Sequence, residues 1–419
     1  MSLGKLLCIL MASLAVVRSQ DNDANQEEQH VDYRFDVNRI HDEVRTTVSN
    51  NEIEDDESEI RNEFNAWMKR FGKNYKGTQE YYYRYEIFKK RYISILKFNK
   101  TKASYKKGIN FFSDLLPDER LSYLGSIDRE DDEADKDEEQ DFTRYLEKDK
   151  RIAEEIRSIP FAEYQVDRDQ FWKKVSELSI GDQIKNLFRW NNNFWRRLRN
   201  RGVCGSRDWH ASGHMTAVRN QSSCGSCWAF AAVGLVEAMY KIKNNITLNL
   251  SEQELVDCDG SSNGCSGGST WRALGYIRKQ RIHRESIYPY VASDQTCASF
   301  NRYKYPIRRR RRTLRRRTRN FLNRLCRQPL HISYYVSDEF FDYSSGIYDG
   351  AGCAGQSGTN HAVVAVGHNI RASTPFVKLK NSWGSWWGEN GYFRMILQSS
   401  LITNGTCNML YRRPSYVHV

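Results

Sequence analysis

Apolar residues recur at helical spacing in two stretches near the N-terminus. Ile60, Phe64, Trp67, Met68 and Phe71 predict an amphipathic helix over residues 59–75. Tyr83, Ile87, Phe88, Ile95 and Phe98 predict a second over 79–102, and 108–114 then reads as a short extended segment. From 116 to about 200 the pattern breaks into charged runs with isolated apolar pairs such as Phe171-Trp172 and Phe194-Trp195. Beyond Asp208 glycine, aromatic residues and cysteine become frequent, as in a packed domain. There the alanine-rich run Trp228–Met239, free of proline, predicts a buried helix. Asn360–Gly367 predicts a strand, and Asn320–Arg327 a short helix. No internal repeat is evident.

The extreme N-terminus stands apart. Lys5 precedes the apolar run Leu6–Val17, and Val17-Arg18-Ser19 offers a cut after Ser19, the pattern of a secretory signal peptide. The run is too short for a membrane anchor, and no later run approaches the twenty or so apolar residues of a membrane span. An oxidising route fits the cysteines. Of ten, Cys8 leaves with the signal and Cys227 is set aside below; the remaining eight suggest four disulfides whose connectivity arithmetic leaves open. Apart from Cys224/Cys227 no paired ligand spacing occurs, so no metal and no cofactor is expected.

The net charge of +12 is strongly segregated. Residues 128–141 carry ten acidic side chains, whereas 308–319 carry nine arginines, from Arg308 to Arg319. Such separation argues for parts with different tasks.

Chemistry concentrates in Asn220-Gln-Ser-Ser-Cys-Gly-Ser-Cys-Trp-Ala-Phe230. Cys227 opens the predicted buried helix, where the positive helix end favours thiolate, the nucleophile of acyl transfer. His361 begins a strand that can present its imidazole as the base. Asn381, in Lys380-Asn-Ser-Trp-Gly384, can hold the far imidazole nitrogen, with Trp383 shielding that bond. Gln221 can donate its amide to an oxyanion beside the Cys227 backbone N–H.

These segments resemble the papain family of cysteine peptidases, on its cathepsin L-like branch, from Asp208 to Val419. His361 lies 134 residues and Asn381 154 residues after Cys227, close to the family spacing. The resemblance implies an α+β, two-lobed papain-like fold, a helical lobe carrying Cys227 and an antiparallel β-barrel lobe carrying His361 and Asn381. It implies Cys227 as nucleophile, His361 as acid and base, Asn381 as orienter and Gln221 in the oxyanion hole. By the same motifs Cys224 should pair with Cys265, Cys258 with Cys297 and Cys353 with Cys407, which leaves Cys204 and Cys326 as a further pair. Gly267, Gly268, Ser269, Thr270, Asn360, Trp383 and Trp387 should contact substrate. Arg412 or Arg413 falls at the floor of the pocket for the substrate's P2 side chain, where an arginine would favour acidic or polar groups. No histidine-rich insertion occludes the stretch between Gly268 and Tyr288, so an endopeptidase is expected.

Residues 80–99 resemble the interrupted helix signature of cathepsin L-type propeptides through Glu80, Arg84, Phe88, Ile95 and Asn99, with Arg91 where asparagine is usual. Gly108, Asn110, Phe112 and Asp114 match the companion segment. The implied architecture is a signal peptide (1–19), an inhibitory propeptide (20–115, helical core about 57–114), an atypical linker (116–201) and a mature domain (202–419). The propeptide should cross the cleft against the substrate direction. Expected partners are protein or peptide substrates, the chain's own propeptide and a polyanion such as glycosaminoglycan at Arg308–Arg319, the protein being monomeric. The acidic run docking on the arginine tract is a further option. Sequons, as at Asn245 and Asn404, fit a glycoprotein that is lysosomal or extracellular. The alternative is a silent or permanently latent papain-fold protein acting as a polyanion-binding or inhibitory module.

Overall fold

The computed structural model describes residues 54–126, 198–199, 202–312, 317–353, 355–397 and 404–419. The signal segment, the acidic run, most of the 196–201 cluster and Arg315 and Arg316 lie outside the described residues.

Two antiparallel helices open the described chain, α1 (Glu54–Phe71) and α2 (Thr78–Asn99). Ile60, Phe64 and Trp67 of α1 meet Tyr85 and Phe88 of α2 in a small aromatic core. Phe64 is its hub, with ring centroids 5.6 Å from Trp67, 5.3 Å from Tyr85 and 5.1 Å from Phe88. The buried row of α2 is Tyr85, Phe88 and Ile95, not the row through Tyr83, because the α1 stripe faces that side. Strand β1 (Tyr105–Lys107) follows. The predicted extended segment at 108–114 is instead a turn. Asn110 Oδ1 accepts the Phe112 N–H (2.9 Å) and Ser113 Oγ accepts the Asn110 N–H (2.9 Å), so side chains take the backbone groups that a strand would need. Helix α3 (Pro117–Leu121) starts at a proline, and Glu119 accepts the Leu116 N–H at 2.7 Å.

The first lobe holds α4 (Cys227–Asn244), α5 (Gln253–Cys258) and α6 (Thr270–Gln280). Residues Cys227 to Met239 of α4 are all buried, which explains an apolar run with no polar face. Asn245 closes the helix in the left-handed region, φ 56°. The second lobe is a sheet of β2 (Ser206–Asp208), β3 (Arg309–Arg312), β4 (Leu330–Tyr334), β5 (Tyr343–Tyr348), β6 (His361–Asn369), β7 (Phe376–Lys380), β8 (Tyr392–Ile396) and β9 (Ser415–His418), together with α7 (Thr318–Leu325). Its order is β1-β5-β8-β7-β6-β4-β9-β3, with β2 also on β6. Pairing is antiparallel except for β5 with β8. The N-terminal segment thus lends β1 to the edge strand β5, Tyr105 opposite Gly346.

Strand β6 joins the lobes. Ala362, Val364 and Val366 pack into the α4 core, while Val363 and Ala365 face the sheet core. A strand covered on both faces reads as a continuous apolar run, and this one carries His361 at its first position. Disulfides join Cys204–Cys326, Cys224–Cys265, Cys258–Cys297 and Cys353–Cys407; Cys227 is free. Among the described residues no helix is long and apolar enough to cross a membrane.

Candidate active site

Cys227 is the first residue of α4, and the turn before it is held by the neighbouring disulfide. Gly225 N–H donates to the Cys265 carbonyl at 2.8 Å, one residue from the Cys224–Cys265 bond. On the facing lobe, His361 Nε2 lies 2.8 Å from Asn381 Oδ1. Asn381 Oδ1 also accepts the Ser382 N–H at 2.9 Å, which identifies that atom as the oxygen. The imidazole therefore carries its proton on Nε2 and keeps Nδ1 as a buried lone pair without a hydrogen-bond partner. Trp383 covers the ring, centroids 4.8 Å apart, and Tyr334 meets it edge-on at 5.7 Å.

Gln221 is fully buried and held from both ends. Its Oε1 accepts Ser382 Oγ–H at 2.6 Å, and its Nε2 donates to the carbonyls of Cys224 (2.8 Å) and Tyr123 (3.0 Å). Tyr123 belongs to the N-terminal segment, and Trp383 Nε1 reaches the same carbonyl at 3.3 Å. From there the segment continues across the junction of the lobes. Gly125 and Ser126 N–H both donate to the Asn360 carbonyl (3.0 Å each), and Gly268 N–H donates to the Gly125 carbonyl (2.8 Å). Ser126 bridges Gly268 in parallel sense. Residues 123–126, within the stretch expected to be linker, thus lie across the cleft.

Burial dominates the electrostatics. Cys227 and His361 are both 0% exposed. Burial pushes the Cys227 thiol up to about 12, against hydrogen bonds from the backbone amides of Ala362, Gly125, Trp228 and Cys227 itself. The thiolate expected from the helix end is therefore not the covered state: desolvation outweighs the dipole. Burial likewise pushes His361 down to about 4, only partly offset by its bond to Asn381.

The other sequence-derived residues divide. Gly268 and Asn360 meet the N-terminal segment directly through their backbones. Gly267 lies beside them, its N–H on the Gly264 carbonyl at 3.2 Å. Ser269 is the N-cap residue of α6, and Thr270 Oγ1 donates to the Trp228 carbonyl at 3.0 Å. Trp387 is fully buried behind Trp383, donating to the Phe341 carbonyl at 2.9 Å. Arg412 is half-buried against the Tyr411 ring, 5.3 Å from its centroid. Cys204, Cys326 and His368 alone among the described residues cluster like metal ligands, and there the two sulfurs are joined to each other.

Several contacts escaped the sequence reading. Arg120 is fully buried and donates to Asp338 Oδ1 (2.9 Å), the Phe112 carbonyl (2.7 Å) and Asp342 Oδ1 (3.4 Å). Arg91, the departure from the usual asparagine, reaches Asp342 Oδ2 at 3.1 Å. The N-terminal segment is thus clamped onto Asp338 and Asp342 by two arginines. Phe112 packs on Tyr123, Phe341 and Trp383 with centroids 4.8, 5.0 and 5.3 Å away. Only Gly125, a glycine in a short Leu-Gly-Ser stretch, could have flagged the cleft-crossing residues.

A buried thiol at the head of α4 whose sulfur meets the backbone amide of Ala362, next to an imidazole at His361 held by Asn381, under an N-terminal cover, places the chain among cysteine peptidases in latent form. Residues 203–416 match the papain family cysteine protease model, and residues 64–119 the cathepsin propeptide inhibitor domain. Papaya proteinase 4 of Carica papaya is 33% identical over 84% of this chain and 85% of its own. Papain of the same plant is 31% identical over 79% and 80%. A cathepsin L-like proteinase of Fasciola hepatica is 38% identical over 47% of this chain and 61% of its own. Among solved structures, a recombinant stem bromelain precursor aligns with TM-score 0.63 and 27% identity over 86% of this chain and 99% of its own. Procathepsin L2 from Tenebrio molitor larval midgut shares the fold, TM-score 0.65 at 24% identity over 86% and 100%. The chain belongs to the papain family of cysteine proteases and is a papain-like cysteine endopeptidase with a propeptide. The silent-module alternative is without support.

Proposed function

We propose that the chain is a secretory-route zymogen, lysosomal or extracellular, that hydrolyses internal peptide bonds through a Cys227 thioester. The observation that carries this reading is the Tyr123 carbonyl seated on Gln221 Nε2, where a substrate's developing oxyanion would sit, with the Gly125 amide two residues on against the buried Cys227 sulfur. Once the cover leaves, Cys227 Sγ attacks the scissile carbonyl carbon while its proton passes to His361 Nδ1. The oxyanion is held by Gln221 Nε2 and the Cys227 N–H. His361 then gives the proton to the leaving amine, the C–N bond breaks, and the thioester remains. Water, deprotonated by the same nitrogen, releases the acid and restores the thiol. Asn381 holds the ring through Nε2 throughout.

Substrate backbone would take the places that Gly125 and Ser126 hold on Gly268 and Asn360, with Gly267, Ser269, Thr270 and Trp383 shaping the adjoining walls and Trp387 backing Trp383 from the core. Arg412 is proposed to bias the P2 pocket toward acidic or polar side chains; a P2-varied peptide library that favours Leu or Phe would refute it. The signal peptide (1–19) is removed on secretion, and maturation falls near Arg196–Arg201, separating residues 20–201 from a monomeric 202–419 enzyme. Arg308–Arg319 is proposed as a polyanion surface. The test is acid incubation of the proenzyme beside its Cys227→Ser variant. The parent should shorten and gain peptide hydrolysis while the variant does neither; hydrolysis by the variant would overturn the assignment.

A further inference from the structure

The arginine tract is not a loose surface insertion. Its first half forms strand β3, antiparallel to the C-terminal strand β9, with Arg309 opposite His418, Arg310 opposite Val417, Arg311 opposite Tyr416 and Arg312 opposite Ser415. Side chains alternate across a strand, so the tract is divided in two. Arg310 and Arg312 turn inward onto the Trp271 ring, their guanidinium carbons 4.1 and 4.3 Å from its centroid. Arg310 also donates to the Trp271 carbonyl. Gly275 of α6 makes room for it, since a Cβ there would meet Arg310 Nη1 at 2.6 Å. The inward pair anchors the strand.

The outward pair is presented. Arg309 and Arg311 share a face with their cross-strand neighbours His418 and Tyr416, and Arg308 and Arg324 complete an open cavity of about 440 Å³ lined by these six residues. Among the described residues no carboxylate lines it. Arg324 lies over the Tyr416 ring, 4.2 Å from its centroid, which fixes that guanidinium and caps the one aromatic face. Residues two apart on a strand are separated by about 6.6–6.8 Å, so Arg309 and Arg311 form a row that matches an extended polymer with regularly spaced anions. Guanidinium groups pair bidentately with sulfate and phosphate oxyanions.

We propose that this face is a binding site for a sulfated polysaccharide. The inference rests on the polyanion reading given above and assigns it to named residues. A sulfated glycan is favoured over nucleic acid because, among the described residues, the tyrosine ring lining the cavity, Tyr416, is already covered by Arg324 and edged by His418 rather than open to stack a base. The site lies far from the catalytic centre. Lys243, whose charge reaches His418, is sixteen residues beyond Cys227 on α4, about 24 Å along the helix axis. His418 adds a pH response: burial and the charges of Arg324, Arg311, Lys243 and Arg309, with Tyr416 beside it on the same strand, hold its pKa below the ordinary histidine value. A bound polyanion offsets those cations, favours the protonated ring and so binds more tightly as pH falls.

The experiment uses the full-length Cys227→Ser proenzyme and heparin as probe, with affinity measured against salt concentration at about pH 7.5 and pH 5.5. Arg309→Ser, Arg311→Ser and Arg324→Gln combined should flatten the slope of log affinity against log salt by roughly 0.7–0.9 for each arginine that contacts the ligand. An equal charge loss elsewhere, Lys69→Ser, Lys90→Ser and Lys97→Ser on the N-terminal helices, should leave the slope unchanged. His418→Gln should abolish the tightening at the lower pH. If the parent does not bind heparin at all, the polyanion reading itself falls. If both triple variants weaken binding equally, polyanion binding stands and this site is overturned. Tighter binding of single-stranded DNA or polyglutamate of matched charge overturns the glycan assignment. Thermal melting of each variant guards against misfolding, and a variant that melts early is replaced by its Arg→Lys counterpart, which should retain most of the slope.

Discussion

Replacing Gly125 by alanine tests whether the N-terminal segment is what keeps the enzyme shut. A Cβ on residue 125 would lie 2.7 Å from Gly225 Cα and closer still to the Gly225 carbonyl carbon and oxygen. These are backbone atoms that cannot swing aside. Gly225 is itself confined, since its own position is packed against the Cys265 and Leu124 carbonyls. The segment must therefore lift. Lifting breaks three backbone hydrogen bonds, Gly125 and Ser126 to the Asn360 carbonyl and Gly268 to the Gly125 carbonyl. At about 1 kcal/mol net for each, local opening becomes easier by about 3 kcal/mol. That raises the open population on the order of a hundredfold. The assay is the rate at which iodoacetamide alkylates Cys227, the one free cysteine among the described residues, in intact proenzyme at neutral pH. Gly125→Ala should alkylate about a hundred times faster than the parent, with an unchanged melting temperature for the mature domain. Equal rates in the two proteins would refute the claim that this backbone covers the thiol.

Removing the Arg120 guanidinium by Arg120→Ala leaves Asp342 buried with Arg91 as its remaining cation. About 1.5–3 kcal/mol of docking should be lost, read as faster alkylation of Cys227 by iodoacetamide in the intact, tethered proenzyme at neutral pH. In the activated enzyme Gln221→Ala should lower kcat by about 10²–10³ with a smaller change in KM, measured on a peptide substrate. Glu119, bonded bidentately to Arg84 at 2.7 Å, has its pKa lowered by that bond first and by the Leu116 N–H. A depressed carboxyl stabilises the fold above its unfolded pKa, near 4.5, and loses that contribution as pH falls through the lower folded value. The propeptide melting transition of the proenzyme should therefore weaken below about pH 4.5, and Glu119→Gln should flatten that step.

How much of this could be read in the chain follows from the range of each interaction. The hairpin α1–α2, the buried helix α4 and the two-sided strand β6 are patterns of local spacing, and local spacing survives into the fold. The stretch 108–114 reads as a short extended segment, whereas in the structure the short polar side chain of Asn110 captures a backbone N–H and turns the chain. The clamp of Arg91 and Arg120 on Asp338 and Asp342 was invisible, since it joins residues more than two hundred positions apart through charges that look solvated one by one. The arginine tract itself contains no aromatic residues. Trp271 and Tyr416 supply them from outside the tract, so no window on the sequence could include them.

The cover does more than obstruct. With Cys227 held up to about 12 and His361 down to about 4, thiol and imidazole are both neutral across the intervening pH range. In each case burial is the largest cause, and part of that burial is the Tyr123–Ser126 stretch. When the stretch leaves, water returns to both groups and the desolvation that keeps them apart in pKa falls. The dipole of α4 and the bond from Asn381 then act in the direction expected from the sequence, toward thiolate and imidazolium. On the proposed role of Cys227 as nucleophile, latency would be electrostatic as well as steric, because the residues lying over the site also favour its thiol form. A thiol titration followed by alkylation rate should therefore shift to lower pH on propeptide removal, with no residue of the mature domain altered.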